Sequence, residues 1–274
     1  MKKRTLCSMA LLAVLGASIA LPAAANAEGG DAKKLSGKGS IEYVEDTDGG
    51  NEDRDSENPD DKVDPPYIPN TDKGSLMIDG VSDMNFKQQK AVLTDQNYFA
   101  EQVEITKNGA KEKRGVYLQF TDRRIDNRSK WELRAKMSQQ FEAASGNKLA
   151  NSTINFTNPI METATDPAVS PHAEPGKDYA NFTLEESGNT AEVLKTTDAK
   201  NGVGTYTVGF GNTVEYHTRT GKGTSVDSTG TPAGTGDKAN EIKDGSITLF
   251  VPGKTVKTNE AYEAKVLWEI VVIP

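Results

Sequence analysis

The strictest constraint in this chain is alternation. Residues 130–137 read Lys-Trp-Glu-Leu-Arg-Ala-Lys-Met. Trp131, Leu133, Ala135 and Met137 therefore share one face of an extended strand, and Lys130, Glu132, Arg134 and Lys136 share the other. A helix would scatter the same apolar residues around its circumference. The end of the chain follows the same rule, placing Tyr262, Ala264, Val266, Trp268, Ile270 and Val272 together. Val116, Leu118 and Phe120 likewise oppose Tyr117 and Gln119. Further strands are expected over residues 76–81, 99–107, 148–156, 191–196, 205–210 and 246–251, divided by stretches rich in Gly, Asn, Asp and Pro. Only residues 138–145 read as a helical turn. Long loops are expected over 158–178, with four prolines, and over 218–239, nearly all Gly, Thr, Ser and Asp. This pattern predicts an all-β chain: an antiparallel sandwich or barrel-like domain with long loops, preceded by a flexible acidic leader.

The N-terminus predicts export. Lys2, Lys3 and Arg4 precede an apolar run over residues 11–21, and Ala25 and Ala27 place small residues where a signal peptidase acts. A cleaved signal peptide over 1–27 is expected, since Gly16, Ser18 and Pro22 interrupt a run too short to stay in the membrane. Cys7 is the only cysteine and lies before the apolar run, which excludes lipidation at the cleavage site. The exported chain then has neither disulfide nor thiolate nucleophile, and no membrane span is expected after processing. No hydrophobic tail or basic cluster of a covalent wall anchor closes the sequence, so retention at a surface is expected to be non-covalent.

Charge divides the rest. The chain carries a net charge of −8, but the acidity is concentrated over residues 42–64, where eleven Asp or Glu stand against Arg54 and Lys62. Residues 28–70 hold few large apolar side chains, which predicts a disordered leader. Ile41, Tyr43 and Val44 alternate well enough to add an edge strand over 41–44. The β domain is expected over 71–274. Acids at short spacing over 46–61 lack the order of Asp, Gly and final Glu that a calcium loop needs, so no metal site is assigned.

Catalytic chemistry finds little support. His172 falls in a proline-rich loop and His217 in a polar segment read as strand, and neither has a partner of recognisable spacing. Gly221, Lys222, Gly223 and Thr224 lack the upstream glycine and the flanking strand and helix of a phosphate loop. No enzyme activity and no cofactor are assigned. The clearest electrostatic feature is basic: residues 107–136 hold ten Lys or Arg against four acids. A hairpin joining 116–120 to 131–137 would put Arg124, Arg128, Lys130, Arg134 and Lys136 on one exposed surface, where an anionic polymer would be attracted. Nucleic acid is not an expected partner of an exported, acidic chain.

Phe120, Thr121, Asp122, Arg123 and Arg124, followed by Trp131, Glu132 and Leu133, resemble the Asp-x-Arg and Trp-x-Leu block of the WxL cell-wall-binding domain of Gram-positive bacteria. Asp64, Pro65 and Pro66 before Gly74, Ser75, Leu76 and Ile78 resemble that family's entry, and residues 81–86 its next strand. Val251 and Pro252, then Tyr262, Ala264 and Trp268 before Pro274, resemble its closing motif. The likeness spans about residues 64–274. The chain departs from the pattern in two places: Ser129 and Lys130 replace small residues before the first tryptophan, and Ile270 stands where the second motif has Leu.

The resemblance implies a secreted, wall-associated surface subunit that binds peptidoglycan without a covalent link. Teichoic-acid-type polymers and other cell-surface proteins are further implied partners. Trp131, Leu133, Trp268, Ile270, Asp122 and Arg123 would be the motif residues, either closing the core or meeting the ligand. Period two places each tryptophan on the apolar face, which favours the core. The competing function is an adhesin whose long loops bind host or matrix proteins.

Overall fold

The computed structural model describes residues 39–48, 52–125, 129–164, 180–196, 202–220 and 243–274. Residues 43–274 form one unit that contains every strand found among them. Among the described residues thirteen strands and one short helix follow one another. They are β1 (Leu76–Val81), β2 (Gln96–Glu101), β3 (Val103–Lys107), β4 (Ala110–Arg114), β5 (Val116–Asp122), β6 (Lys130–Ala143), β7 (Thr153–Phe156), β8 (Pro159–Thr163), β9 (Phe182–Glu185), β10 (Ala191–Lys195), β11 (Gly204–Phe210), α1 (Val214–Thr220), β12 (Lys243–Val251) and β13 (Tyr262–Ile273). Every pairing is antiparallel. The chain is all-β, as the alternation predicts.

Three sheets surround one core, in the orders β1-β5-β11-β8, β10-β6-β13 and β2-β12-β7-β9, and β3-β4 is a separate hairpin. The core draws Leu118 and Phe120 from β5, Trp131 and Leu133 from β6, Ile154 and Phe156 from β7, Val208 and Phe210 from β11, and Ile247 and Leu249 from β12. Burying such side chains contributes about 1.5–3 kcal/mol each, which is how a chain without disulfides holds together.

Several expectations are corrected. The segment read as a helical turn at 138–145 is mostly strand, because β13 pairs with β6 as far as Ala143 and fixes the extended form. The single strand expected over 99–107 is two, β2 and β3, in different sheets. The segment holding His217 is helix α1 rather than strand. Residues 159–163, expected in a loop, form β8 beside β11. Most of the two long loops, with His172 and residues 221–224, lies outside the described residues, as does the signal segment over 1–27.

The largest correction concerns the acidic leader. Ile41, Tyr43 and Val44 lie in no strand and are exposed. Beyond them, however, residues 52–67 are clasped against the body. Asp55 is fully buried and receives Arg114 Nε and Nη2, each at 2.6 Å. Lys107 Nζ reaches Asp61 at 3.0 Å, and Asp64 bridges to Thr106. Glu57 accepts both the amide and the hydroxyl of Thr213, each at 2.5 Å. Burial raises the Asp55 carboxyl, but the hydrogen bonds and charge of Arg114 outweigh it and hold the group below the usual range. Glu57, by contrast, is pushed up by burial despite its Thr213 partners. The disorder expectation counted apolar area, and what orders this segment is charge pairing.

The clasp also explains β5, whose seven residues are all buried although its sequence alternates. The core covers one face. The other lies under the clasp: Tyr67 meets Tyr117 edge-on at 5.7 Å, and the Gln119 side chain accepts the Arg54 amide at 2.8 Å. Gly80 in β1 permits this approach, since a Cβ there would sit 2.1 Å from the Tyr67 ring.

Candidate functional site

The first motif spans two sheets. β5 ends at Asp122 and β6 begins at Lys130, yet the two strands do not pair: β5 lies between β1 and β11, and β6 between β10 and β13. The hairpin expected to display the basic residues therefore does not form. Asp122 is fully buried. It accepts the Arg124 amide at 3.1 Å, Nε at 2.9 Å and Nη2 at 2.8 Å. Arg124 also donates to the Ser129 carbonyl at 3.0 Å, so this pair closes the corner between the sheets. The Arg123 amide donates to the Ser75 carbonyl, at the mouth of β1.

Trp131 is 2% exposed. Its ring stands edge-on to Phe120, with centroids 5.0 Å apart, and Phe120 stacks on Tyr206. Thr196 fixes its backbone by donating to the Trp131 carbonyl and accepting its amide, both at 2.9 Å. The indole Nε1 is buried without a hydrogen-bond acceptor among the described residues. Gly202, at a φ of 111°, passes so close that a Cβ would lie 2.5 Å from that nitrogen. Leu133, the third residue of the motif, is fully buried.

Trp268 sits four residues further along the sheet, opposite Ala135, and Ile270 lies opposite Leu133. The two tryptophans thus share the core face. Trp268 is enclosed on one side by Phe156, Phe182 and Phe210, with centroids 5.9, 6.3 and 5.9 Å away. Its other side remains half-buried, because β13 is an edge strand.

That edge opens on a groove. Among the described residues β13 pairs only with β6, and β1 only with β5, so two free strand edges face each other across a cleft of about 1070 Å³. Trp268, Ile270 and Val266 form one wall, and Leu76, Ile78 and Val81 the other, with Met84 and Phe86 in the floor. The mouth is polar: Asn70, Asp72, Asp83 and Glu269 line it, and Ile68 projects from the rim 92% exposed. Asn70 fastens the rim to β1 by donating to the carbonyls of Ile78 and Asp79 at 2.9 and 2.6 Å. Sequence reasoning found the β13 wall through its motif and missed the β1 wall, since nothing local signals that residues almost two hundred positions apart will meet.

The basic segment is largely neutralised. Lys107 and Arg114 hold the clasp, and Lys111 and Lys113 pair with Glu104. Arg134 binds Glu132 on its own strand at 2.6 Å, and this hydrogen bond holds the Glu132 carboxyl below its usual range. Lys130 and Lys136 lie on the outer face of β6 and form no ion pair among the described residues. Arg128 lies outside the described residues. No group of His, Cys, Asp or Glu suited to a metal ion occurs among the described residues, and no helix among them is long and apolar enough to cross a membrane.

A family model described as "WxL domain surface cell wall-binding" matches residues 30–274. No curated protein and no solved structure was found to match the chain.

Proposed function

Because the chain belongs to the WxL family of surface cell wall-binding domains, we propose that it is held on peptidoglycan by non-covalent contacts made in the groove between β1 and β13. The family is one of surface wall binders and not of enzymes, and wall association is accordingly where this chain acts. The observation that carries the finer reading is the position of the second motif: its strand forms a wall of the cleft of about 1070 Å³, and Trp268 lies in that wall. Clefts of about 300–1,000 Å³ suffice for compact ligands, so this one has room for several sugar or peptide units. An apolar floor, a polar rim and unpaired strand edges suit a long amphipathic polymer that is gripped weakly at many points. Covering part of the cell surface in this way makes the chain a wall-bound subunit, able to present partners through its other faces.

Co-sedimentation with purified sacculi tests the reading. Ile68→Glu and Val271→Lys change the rim and wall without touching the fully buried core. The wild type is expected to sediment, and both variants to weaken binding by about tenfold with little change in melting temperature. Undiminished binding by the two variants would remove the groove from the proposal, and failure of the wild type to sediment would remove the peptidoglycan.

A further inference from the structure

We propose that a second cleft, beside the first motif, is an anion subsite in which Arg123 receives a carboxylate or phosphate group of the wall. The inference rests on the wall-binding reading and names a contact distinct from the groove. The cleft measures about 430 Å³ and is lined by Arg54, Thr121, Asp122, Arg123, Val203 and Thr205, among others.

Charge accounting singles out one side chain. Asp122 and Arg124 satisfy each other. Arg54 is held by the carbonyls of Pro59 and Asp60 and by Glu52. Thr121 and Thr205 share a hydrogen bond, and Thr121 reaches Asp79. Arg123 differs: its side chain is only 18% exposed, and its Nη1 is buried with no acceptor among the described residues. A guanidinium nitrogen removed from water without a partner is costly, and structures rarely leave one so.

Among the described residues Arg123 pairs with Asp46, whose Oδ2 lies 3.6 Å from Arg123 Nε, beyond hydrogen-bond reach. That carboxylate is more than half exposed and belongs to the acidic segment ahead of the clasp. It marks where an oxygen anion approaches the guanidinium while leaving Nη1 unsatisfied. A planar guanidinium offers two parallel donors to a carboxylate or phosphate, and partial burial limits screening by salt. Asp46 then competes weakly with the incoming anion.

The test combines sacculus binding with a direct probe. Arg123→Gln removes the charge and leaves the stem; its melting temperature is expected to match the wild type, since among the described residues no hydrogen bond holds the guanidinium, and its affinity for sacculi to fall about tenfold. Asp46→Asn is expected to bind severalfold tighter and keeps the proposal testable should Arg123→Gln fold poorly. Stripping phosphate polymers from the sacculi separates the sources: loss of the Arg123 effect identifies phosphate, and its persistence a peptide carboxylate. Titration of the protein with inorganic phosphate or acetate is expected to shift the Arg123 Nε–H resonance. Equal sacculus binding by wild type and Arg123→Gln overturns the subsite. Should the wild type itself fail to bind sacculi, the wall reading falls, and the subsite stands or falls on the resonance shift alone.

Discussion

The two tryptophans occupy the same kind of motif on neighbouring strands, yet the fold treats them differently. Trp131 lies on β6, which has a partner on each side, and is sealed by Phe120, Thr196 and Gly202. Trp268 lies on β13, which has a partner on one side only, and keeps one flank toward the groove. A central strand seals its apolar residue, and an edge strand leaves the same residue partly exposed. Position in the sheet, rather than the motif itself, decides which tryptophan keeps an open flank.

The contrast is open to attack by substitution. Trp131→Ala should cost about 3–5 kcal/mol, the range for truncating a fully buried aromatic, and chemical denaturation would read it as a large drop in midpoint. Trp268→Ala should cost less, about 2–3 kcal/mol, because one flank is already open. Its folded fraction should bind sacculi more weakly, and unchanged binding would dissolve the distinction between the two sites. Gly202→Ala tests how tightly Trp131 is enclosed. The positive φ and the 2.5 Å approach to the indole predict a loss of about 1–2 kcal/mol, with no effect on sacculus binding by the folded protein. Ile270→Leu restores the residue that the second motif has elsewhere. Since the swap conserves volume, a change of about 1 kcal/mol or less is expected by thermal unfolding.

Local pattern carried much of the fold. The faces of β6 and β13 were legible because alternation is a property of neighbouring residues, and both tryptophans do point to the core. Pairing was less accessible. Two alternating segments joined by a polar stretch suggested the hairpin of β5 with β6, but each found its partners in a different sheet, with β5 beside β11 and β6 beside β13. Residues 138–145 went the same way: their own sequence allows a turn, and a distant strand extends them. The motif residues of the candidate site were named as such from sequence, whereas Arg54, Leu76 and Ile78, which complete the two clefts, were noted for charge or for the family's entry and not as site residues.

The acidic segment draws the boundary most clearly. Its composition correctly locates the charge, and the basic run at 107–136 correctly locates the opposite charge. Only the tertiary structure brings them together, making internal partners of residues such as Asp55 and Arg114. By itself the sequence determined the all-β class and the apolar faces of strands such as β6 and β13, because these follow from a two-residue period. Which strands are edges, which charges are spent inside the molecule and where the clefts open were decided by tertiary structure, because each depends on contacts between residues far apart in the chain.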